Sequence, residues 1–227
     1  MKRALILNAF AAVLVLVPQQ VFARDDSQLW TTATANLKLG GPWRFSQEVV
    51  ARFSDQRSGL YEIESNTLLG YNAAKGVTLA AGYTHDLNYS DGEVTSIERR
   101  AREQVTFDNV ARIGRGKLTL RVRAEQRWRD HVEGTGCRLR PYVKYSLPLR
   151  REGKTALILS SEPFVNLNTT SFQTRTGLDR VRNLIAISTP LTKSLTLEAG
   201  YLNQRTFVPN GRDSIAHAAS LSLSFSR

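Results

Sequence analysis

The stretch LTLRVRAEQRWRDH (residues 118–131) decides the fold of this chain, because its side chains alternate between two kinds. One parity is nearly all apolar: Leu118, Leu120, Val122, Ala124, Gln126 and Trp128. The other parity carries four arginines and a glutamate: Thr119, Arg121, Arg123, Glu125, Arg127 and Arg129. Successive side chains of a β-strand point to opposite faces, whereas a helix repeats its apolar residues every three or four positions. The stretch therefore predicts a strand with one apolar and one charged face.

The same alternation recurs along the chain, and no segment has the periodicity of a helix. The alternating segments lie near residues 28–38, 42–54, 59–72, 76–87, 96–109, 116–130, 137–148, 155–167, 177–188, 194–206 and 213–226. Each has about the length that a tilted strand needs to cross a bilayer. Tight turns alternate with somewhat longer polar links, such as 131–136 and 168–176. This pattern predicts one all-β domain, residues 24–227, with short turns on one rim and longer loops on the other.

The first residues of the chain predict export. Lys2 and Arg3 precede an apolar run that ends near Val17, and small residues surround a cleavage point at Ala23. The run is too short for a membrane-spanning helix and has the three regions of a secretory signal peptide. We therefore expect residues 1–23 to be cleaved and the rest of the chain to enter a Gram-negative cell envelope.

Charge and cysteine content exclude several classes of protein. The formal net charge is +11, and it falls to +9 when Lys2 and Arg3 are removed with the signal peptide. In an exported protein this excess does not indicate nucleic acid, and no stacking motif of basic and aromatic residues is found. Cys137 is the only cysteine, which excludes an internal disulfide and a CxxC metal site. With no phosphate-binding glycine loop either, we expect no cofactor and no metal.

Alternation alone does not say which face is inside. A soluble periplasmic barrel would enclose the apolar face and bind an apolar ligand, whereas a transmembrane barrel turns the apolar face to lipid. Aromatic residues near strand ends favour the second arrangement, because amphipathic rings suit the membrane–water interface. The residues expected at that interface are Trp30, Trp43, Tyr71, Tyr83, Trp128 and Tyr201. The sequence thus predicts a transmembrane antiparallel up-and-down barrel in the bacterial outer membrane.

The charged parity of the segments is expected to line a polar, arginine-rich lumen, where cross-strand charges of opposite sign stabilise one another. Cations outnumber anions in this set: Arg44, Glu48, Arg52, Glu62, Glu64, Glu98, Arg100, Arg102, Arg121, Arg123, Glu125, Arg127, Arg129, Arg138, Arg140, Lys144, Glu162, Arg180, Arg182 and Glu198.

The last segment suggests partners. Its outward apolar residues end at Phe225, and its other face carries only alanine and serine. Such a strand is similar to the signal that the barrel assembly machinery reads, although Ser226 and Arg227 follow the phenylalanine. The small inner face would leave room for long arginines from other strands. At a rim, clustered cations such as Arg99, Arg205 and Arg212 would attract the anionic headgroups of outer-membrane lipid and lipopolysaccharide.

Several short motifs resemble those of one known family: LRVRAEQRWR (120–129), LDRVRN (178–183), LEAGYLNQ (197–204) and Leu29-Trp30. Together they resemble a family of bacterial outer-membrane barrels known only as a domain of unknown function. The resemblance covers essentially the whole mature chain. It implies the fold and the compartment, and it brings no catalytic residues.

The number of segments conflicts with a rule. Bacterial single-chain barrels have an even number of strands, yet eleven segments alternate here. We expect ten to twelve strands, with either one more short strand or a first segment that does not join the barrel wall.

A barrel of this size lies between eight-stranded barrels filled by side chains and sixteen-stranded porins with open channels. It predicts a structural or narrow-channel protein, and the surplus of lumen cations predicts a preference for anions. The alternative is a lipid-acting hydrolase with His85 near the outer rim. Nucleophilic catalysis needs a serine within hydrogen-bonding reach of the histidine. No His-x-Ser spacing is present, and Asp86 lies on the opposite strand face from His85, so we expect no enzymatic activity.

Overall fold

Eleven strands pair in a closed ring in the computed structural model, which describes residues 24–57, 59–209 and 211–227. The expected signal peptide, residues 1–23, lies outside the described residues. The strands are β1 (Arg24–Gly40), β2 (Trp43–Ser54), β3 (Gly59–Ala74), β4 (Val77–Ser90), β5 (Glu93–Ile113), β6 (Gly116–Arg129), β7 (Val132–Pro148), β8 (Ala156–Asn166), β9 (Gly177–Pro190), β10 (Leu195–Thr206) and β11 (Ser214–Ser226). The all-β barrel predicted from the alternation is confirmed. In these ranges no helix is both long and apolar enough to cross a membrane.

Each strand pairs antiparallel with its neighbours in sequence, but β1 and β11 close the ring as a parallel pair. Their register runs from Arg24 opposite Ser214 to Asn36 opposite Ser226. The Lys38 N–H extends the pairing by donating to the Arg227 carbonyl oxygen (2.9 Å). Both explanations for the odd count are therefore wrong, since the described residues hold no twelfth strand and the first segment is part of the wall. The parallel seam leaves neither β1 nor β11 as a free edge, which is why an odd number can close.

The barrel has two rims. The N-terminal rim holds the start of β1 and the connections that follow even-numbered strands, and the C-terminal rim holds the end of β11 and the remaining connections. The predicted loop 131–136 is mostly strand, because β7 begins at Val132. The C-terminal rim also carries a connection of moderate length, 149–155. The contrast between the rims is therefore weaker than predicted: the longest link, 167–176, lies at the N-terminal rim, but 207–213 at that rim is no longer than 149–155.

Strand β6 shows which parity is inside. The Val122 side chain is 44% exposed on the outer surface, whereas Arg123 is 6% exposed inside the barrel. Other strands repeat this arrangement, with exposed large apolar residues outside and buried charges within. The described interior of the barrel is therefore polar.

The small inner face of β11 leaves space that Trp30 fills. Its ring packs against Leu202 and Ala218, and Leu184 lies against the same cluster. Trp30 is 4% exposed, so its prediction as a membrane-interface aromatic is wrong. Parity explains the difference, because Leu29 holds the outward position on this part of β1.

Two of the arginines predicted for the lumen lie against the Trp30 ring. The guanidinium groups of Arg52 and Arg182 each lie 4.4 Å from the centroid of the Trp30 ring. The small residues of β11 therefore accommodate an indole in the half of the barrel near the N-terminal rim, and the arginines cover the indole.

Candidate functional site

A layer of buried ion pairs crosses the middle of the barrel. We call this the charged layer and define it by Glu64, Arg100, Glu125, Arg140 and Glu162. Glu125 accepts hydrogen bonds from Arg140 (2.7 Å) and from Arg138 (2.5 Å). Glu162 accepts a bond from Arg140 at 2.9 Å, so Arg140 links the two glutamates. Because Glu125 and Glu162 are almost fully buried, their attraction to arginine is little screened by salt or water.

The layer continues toward β3. Arg100 donates to Glu64 (3.2 Å) and to Glu98 (2.6 Å), and it also pairs with Asp86. Arg52 pairs with Glu62 and lies 3.4 Å from Glu64. Arg102 joins the two groups, because it donates to Asn66, which donates to Glu64 (2.9 Å), and its Nε lies 4.0 Å from Glu125. Residues from β2 through β8 thus form one connected network across the lumen.

Two cavities flank the charged layer. The N-rim cavity has a volume of about 350 Å³ and is lined by the starts of odd-numbered strands and the ends of even-numbered strands. The C-rim cavity has a volume of about 540 Å³ and includes Arg123, Lys144, Glu198, Ser222 and Ser224. No residue lines both cavities. The charged layer therefore lies between an opening at each rim.

Aromatic rings hold several arginines in place. The Phe164 ring is 2% exposed, and the guanidinium carbons of Arg138, Arg140, Arg180 and Arg182 lie between 4.2 and 5.5 Å from its centroid. Stacking on an aromatic face uses the flat side of a guanidinium and leaves its N–H groups free to donate in the plane. Phe164 thus fixes the orientation of arginines from two neighbouring strands.

The connection 167–176 contacts arginines that line the N-rim cavity. Gln173 is buried, accepts a hydrogen bond from Arg127 Nη1 (2.9 Å) and donates to the Cys137 carbonyl oxygen (3.1 Å). The Phe172 ring lies 5.2 Å from the Arg129 guanidinium carbon. This loop therefore packs against β6 and β7 near the N-terminal rim.

The structure places every charged residue predicted for the lumen on the inner face of its strand. Each one lines a cavity or bonds to another interior side chain. The sequence prediction omitted Asp26 and Asp86, which are buried acceptors in the N-rim cavity. Parity was an available signal for Asp86, because it shares the inward face of β4 with Thr84. The predicted start of the first segment at residue 28 excluded Asp26.

The remaining predicted interface aromatics lie on the outer surface. Trp43 and Tyr71 pair edge to face near the C-terminal rim, with ring centroids 5.0 Å apart. Trp128 lies near the N-terminal rim, where its Nε1–H donates to Thr135 Oγ1 (2.9 Å). Tyr83 and Tyr201 lie near the middle of β4 and β10, so they do not occupy strand ends. Of the predicted set, only Trp43, Tyr71 and Trp128 therefore lie near strand ends on the outer surface.

His85 has a cross-strand neighbour that the local sequence did not indicate. It lies directly opposite Ser65 in the β3–β4 register, on the outer face. Ser65 Oγ accepts a hydrogen bond from Gln47 Nε2 (2.9 Å), which leaves its hydroxyl proton available. On the other side of His85, the opposite residue is Arg99. Cross-strand pairing thus brings together a serine and a histidine that are twenty positions apart.

Three carboxylates lie close together in the interior. Oxygen atoms of Glu62, Glu64 and Asp86 all fall within 4.8 Å of one another. Arg52 and Arg100 neutralise these groups. Ion pairing therefore accounts for the cluster.

Comparison with known proteins shows where this chain belongs. The model of the family described as "Protein of unknown function (DUF2490)" matches residues 27–215. The chain is also 30% identical over 200 residues to "Uncharacterized protein MexAM1_META1p0181" of Methylorubrum extorquens (strain AM1), which covers 88% of this chain and 87% of that protein. No solved structure matches significantly. The chain thus belongs to the DUF2490 family, as the resemblance in its motifs predicted.

Proposed function

We propose that this protein is an outer-membrane β-barrel of structural or narrow-channel type, with a lumen that favours small anions. The observation that carries the proposal is the inverted distribution of side chains, with apolar rows outside a closed ring and ion pairs inside. Monomeric soluble proteins rarely expose large contiguous apolar patches. Lipid also requires that a sheet have no free edge, and the β1–β11 seam meets that requirement.

The proposed orientation places the C-terminal rim in the periplasm and the N-terminal rim outside the cell. Near the N-terminal rim, Arg99 pairs with Asp130 and Arg205 pairs with Asp213 (2.6 Å), both on exposed surface. Such cations would contact the anionic headgroups of lipopolysaccharide. Phe225, 39% exposed on the outer face of β11, would be presented to the barrel assembly machinery.

The charged layer would make any passage through the lumen narrow. An ion that moves from one cavity to the other must pass buried arginines that are already paired with glutamates. The C-rim cavity adds Arg121, Arg123 and Lys144 against Glu48 and Glu198, so positive charge is in excess there. Charged side chains that line a pore set its selectivity, and this excess favours anions.

Two measurements test the proposal. In fractionated cells, we expect the protein in the outer membrane, with a mobility shift between unheated and boiled gel samples. In planar bilayers under a salt gradient, we expect a reversal potential of the sign for anion preference. Lys144→Glu, inside the C-rim cavity, should reduce that preference, whereas Arg99→Gln on the outer surface should leave it unchanged. A soluble periplasmic protein without a gel shift, or a cation-selective pore, would refute the proposal.

The Ser65–His85 pair favours a second candidate, a lipid hydrolase on the outer wall. A serine hydroxyl becomes a nucleophile when a neighbouring histidine accepts its proton. Arg99, the other cross-strand neighbour of His85, is paired with Asp130, so this candidate rests on the Ser65–His85 pair alone. If this candidate holds, Ser65→Ala and His85→Ala should each abolish phospholipid hydrolysis by the purified protein, and His217→Ala, another outer-face histidine, should not. Equal hydrolysis in all variants, or none in the wild type, would rule it out.

A further inference from the structure

The N-rim cavity holds more positive than negative charge. Its lining includes nine arginines, at positions 52, 57, 100, 127, 129, 138, 140, 180 and 182, but only five carboxylates, at 26, 62, 64, 86 and 98. The excess is concentrated on one wall, because most of these carboxylates lie on β3, β4 and β5 while Arg180 and Arg182 lie on β9. A cavity of this size holds roughly ten water molecules, or a small organic anion in their place.

Most of the cavity arginines are held by carboxylates. Arg52 bonds to two glutamates, Arg100 to three carboxylates, and Arg138 and Arg140 to Glu125. Arg127 pairs with Glu98 at 2.8 Å. These cations are already neutralised and are poor candidates for a ligand.

Arg180 and Arg182 are different. Among the described residues, Arg182 makes no ion pair and bonds only to the neutral Gln204 side chain, through Nε (3.2 Å) and Nη2 (2.8 Å). Arg180 uses only Nε, which donates to the carboxylate of the preceding residue, Asp179 (2.8 Å). At least one terminal nitrogen of each therefore has no partner in the described structure, although both side chains line a polar cavity.

Stacking preorganises this pair. The guanidinium carbons of Arg180 and Arg182 lie 5.5 and 5.0 Å from the Phe164 centroid, and Arg182 also lies 4.4 Å from Trp30. The two arginines are alternate residues of β9, so they project from the same face of one strand. Contact with aromatic rings restricts the two guanidinium groups and so reduces the entropy lost when their N–H groups bind an anion.

We propose that Arg180 and Arg182 form a binding site in the N-rim cavity for a small oxyanion, the phosphate or carboxylate group of a molecule that fits this cavity. Arginine donates two parallel N–H groups to either oxyanion, which a halide ion cannot match. Neutral groups of β10 and β11, Gln204 and Ser214, lie in the same cavity to bind the rest of such a molecule. The inference deepens the proposed function, on which it rests for the side of the membrane from which the anion enters.

Trp30 provides a direct probe. The chain has three tryptophans, and only Trp30 lies inside the barrel. In a variant with Trp43→Phe and Trp128→Phe, emission comes from the ring that Arg182 contacts. We would titrate this protein, in lipid-free detergent at constant ionic strength, with inorganic phosphate, with succinate and with chloride. We expect a saturable change with phosphate or succinate and none with chloride.

Substitutions test the assigned residues. Arg182→Gln should weaken binding at least tenfold, and Arg182→Lys, which keeps the charge but loses the fork, should weaken it less. Arg205→Gln on the outer surface is the matched control and should bind as the parent does. The heat-dependent gel shift must be retained in each variant, and Arg180→Gln replaces Arg182→Gln if the latter does not fold.

Several outcomes would overturn the inference. These are an equal response to chloride, an unchanged affinity in the folded Arg182→Gln or Arg180→Gln protein, and a response to lipopolysaccharide but not to the free anions. Failure here is distinct from failure of the proposed function, because binding in detergent does not depend on conductance. A protein that binds phosphate but passes no anions would retain this site and lose its channel role.

Discussion

Two inner walls of the barrel lie across the lumen from one another and differ in composition. The inner faces of β5, β6 and β7 form a charged wall of arginines and glutamates. Opposite them, β11, whose inner face holds only alanine and serine, and β10, whose inner face holds Gly200 and a single charged residue, form what we call the small-residue wall. On the charged wall, Glu125 and Arg102 are each 2% exposed. On the small-residue wall, Ala218 is fully buried, but Ser222 lines an open cavity.

The difference shows how a barrel of this width is filled. Long side chains of the charged wall cross the lumen because the side chains of the small-residue wall are short. The lumen stays open where neither wall carries long side chains. The charged wall is stable only as a set, since each buried cation needs its carboxylate. On the small-residue wall, steric contact instead limits the size of the side chains, because protein interiors are packed to high density.

The largest effect on stability is expected from removing the charge of Glu125, which accepts hydrogen bonds from two arginines of the charged wall. Glu125→Gln keeps the size of the side chain but leaves Arg138 and Arg140 without their acceptor charge. Breaking a buried pair on one side costs about 3–5 kcal/mol, so the free energy of unfolding in urea should fall by that amount. Glu198→Gln on β10, which lines the C-rim cavity and makes no ion pair among the described residues, should change it by less than about 1 kcal/mol. Equal losses would show that the two walls do not differ in this way.

A smaller loss is expected where the two walls meet at Trp30. Trp30→Leu removes contacts with Leu202 and Ala218 and the surface on which Arg52 and Arg182 stack. Complete truncation of a buried aromatic costs about 3–5 kcal/mol, so retaining a branched side chain should limit the loss to about 2 kcal/mol. Trp43→Leu, on the outer face, serves as the control in the same unfolding measurement. The interpretation fails if the outer substitution costs more.

The small-residue wall should resist even one added methyl group at Gly200. A Cβ there would overlap the Ile185 carbonyl oxygen and lie 2.5 Å from the Ala186 Cα. Overpacking typically costs about 1–3 kcal/mol, and we expect Gly200→Ala to fall near 1–2 kcal/mol. Gly70→Ala is the matched control, because a Cβ at Gly70 meets its nearest atom, Thr78 Cγ2, at an ordinary 3.6 Å. Both glycines precede a tyrosine in a strand, so similar losses would point to strand propensity instead of contact.

The smallest effect on stability is expected on the same wall, nearer the C-terminal rim. Ser222→Gln faces the C-rim cavity, so the longer side chain has room and should change stability by no more than about 0.5 kcal/mol. Ala218→Gln, on the same face of β11 but fully buried, should cost about 1–3 kcal/mol. The pair measures where the open part of the lumen begins. Equal tolerance at both positions would mean that Trp30 moves aside.

The sequence predicted the features that depend on period two. The alternation in residues 118–131 assigned Val122 outside and Arg123 inside, and both lie there. The small inner face of the last strand was also evident from parity. These features follow from local geometry, because a strand alternates whatever it pairs with.

Features that depend on register were not predictable in the same way. The pairing of Ser65 with His85 requires knowledge of which residues face each other across β3 and β4. The grouping of four arginines around Phe164 requires three strands in register. The parallel seam was missed because the even-strand rule describes most bacterial barrels, and nothing in the first segment marks the direction of its partner. The alternation within one segment predicts on which face of the strand each side chain lies, but not which residues of other strands it contacts.

The parallel seam has a consequence for folding kinetics. All other pairs join consecutive strands and can form as hairpins, whereas the seam joins Asn36 to Ser226, at nearly opposite ends of the described chain. Closing so long a loop carries the largest entropic cost of any pairing, and contacts of long sequence separation slow folding. Until that step, β1 and β11 are unpaired edges that can associate with other chains. Ring closure is therefore expected to set the rate of barrel formation, and the interval before it is when the chain is most prone to aggregate.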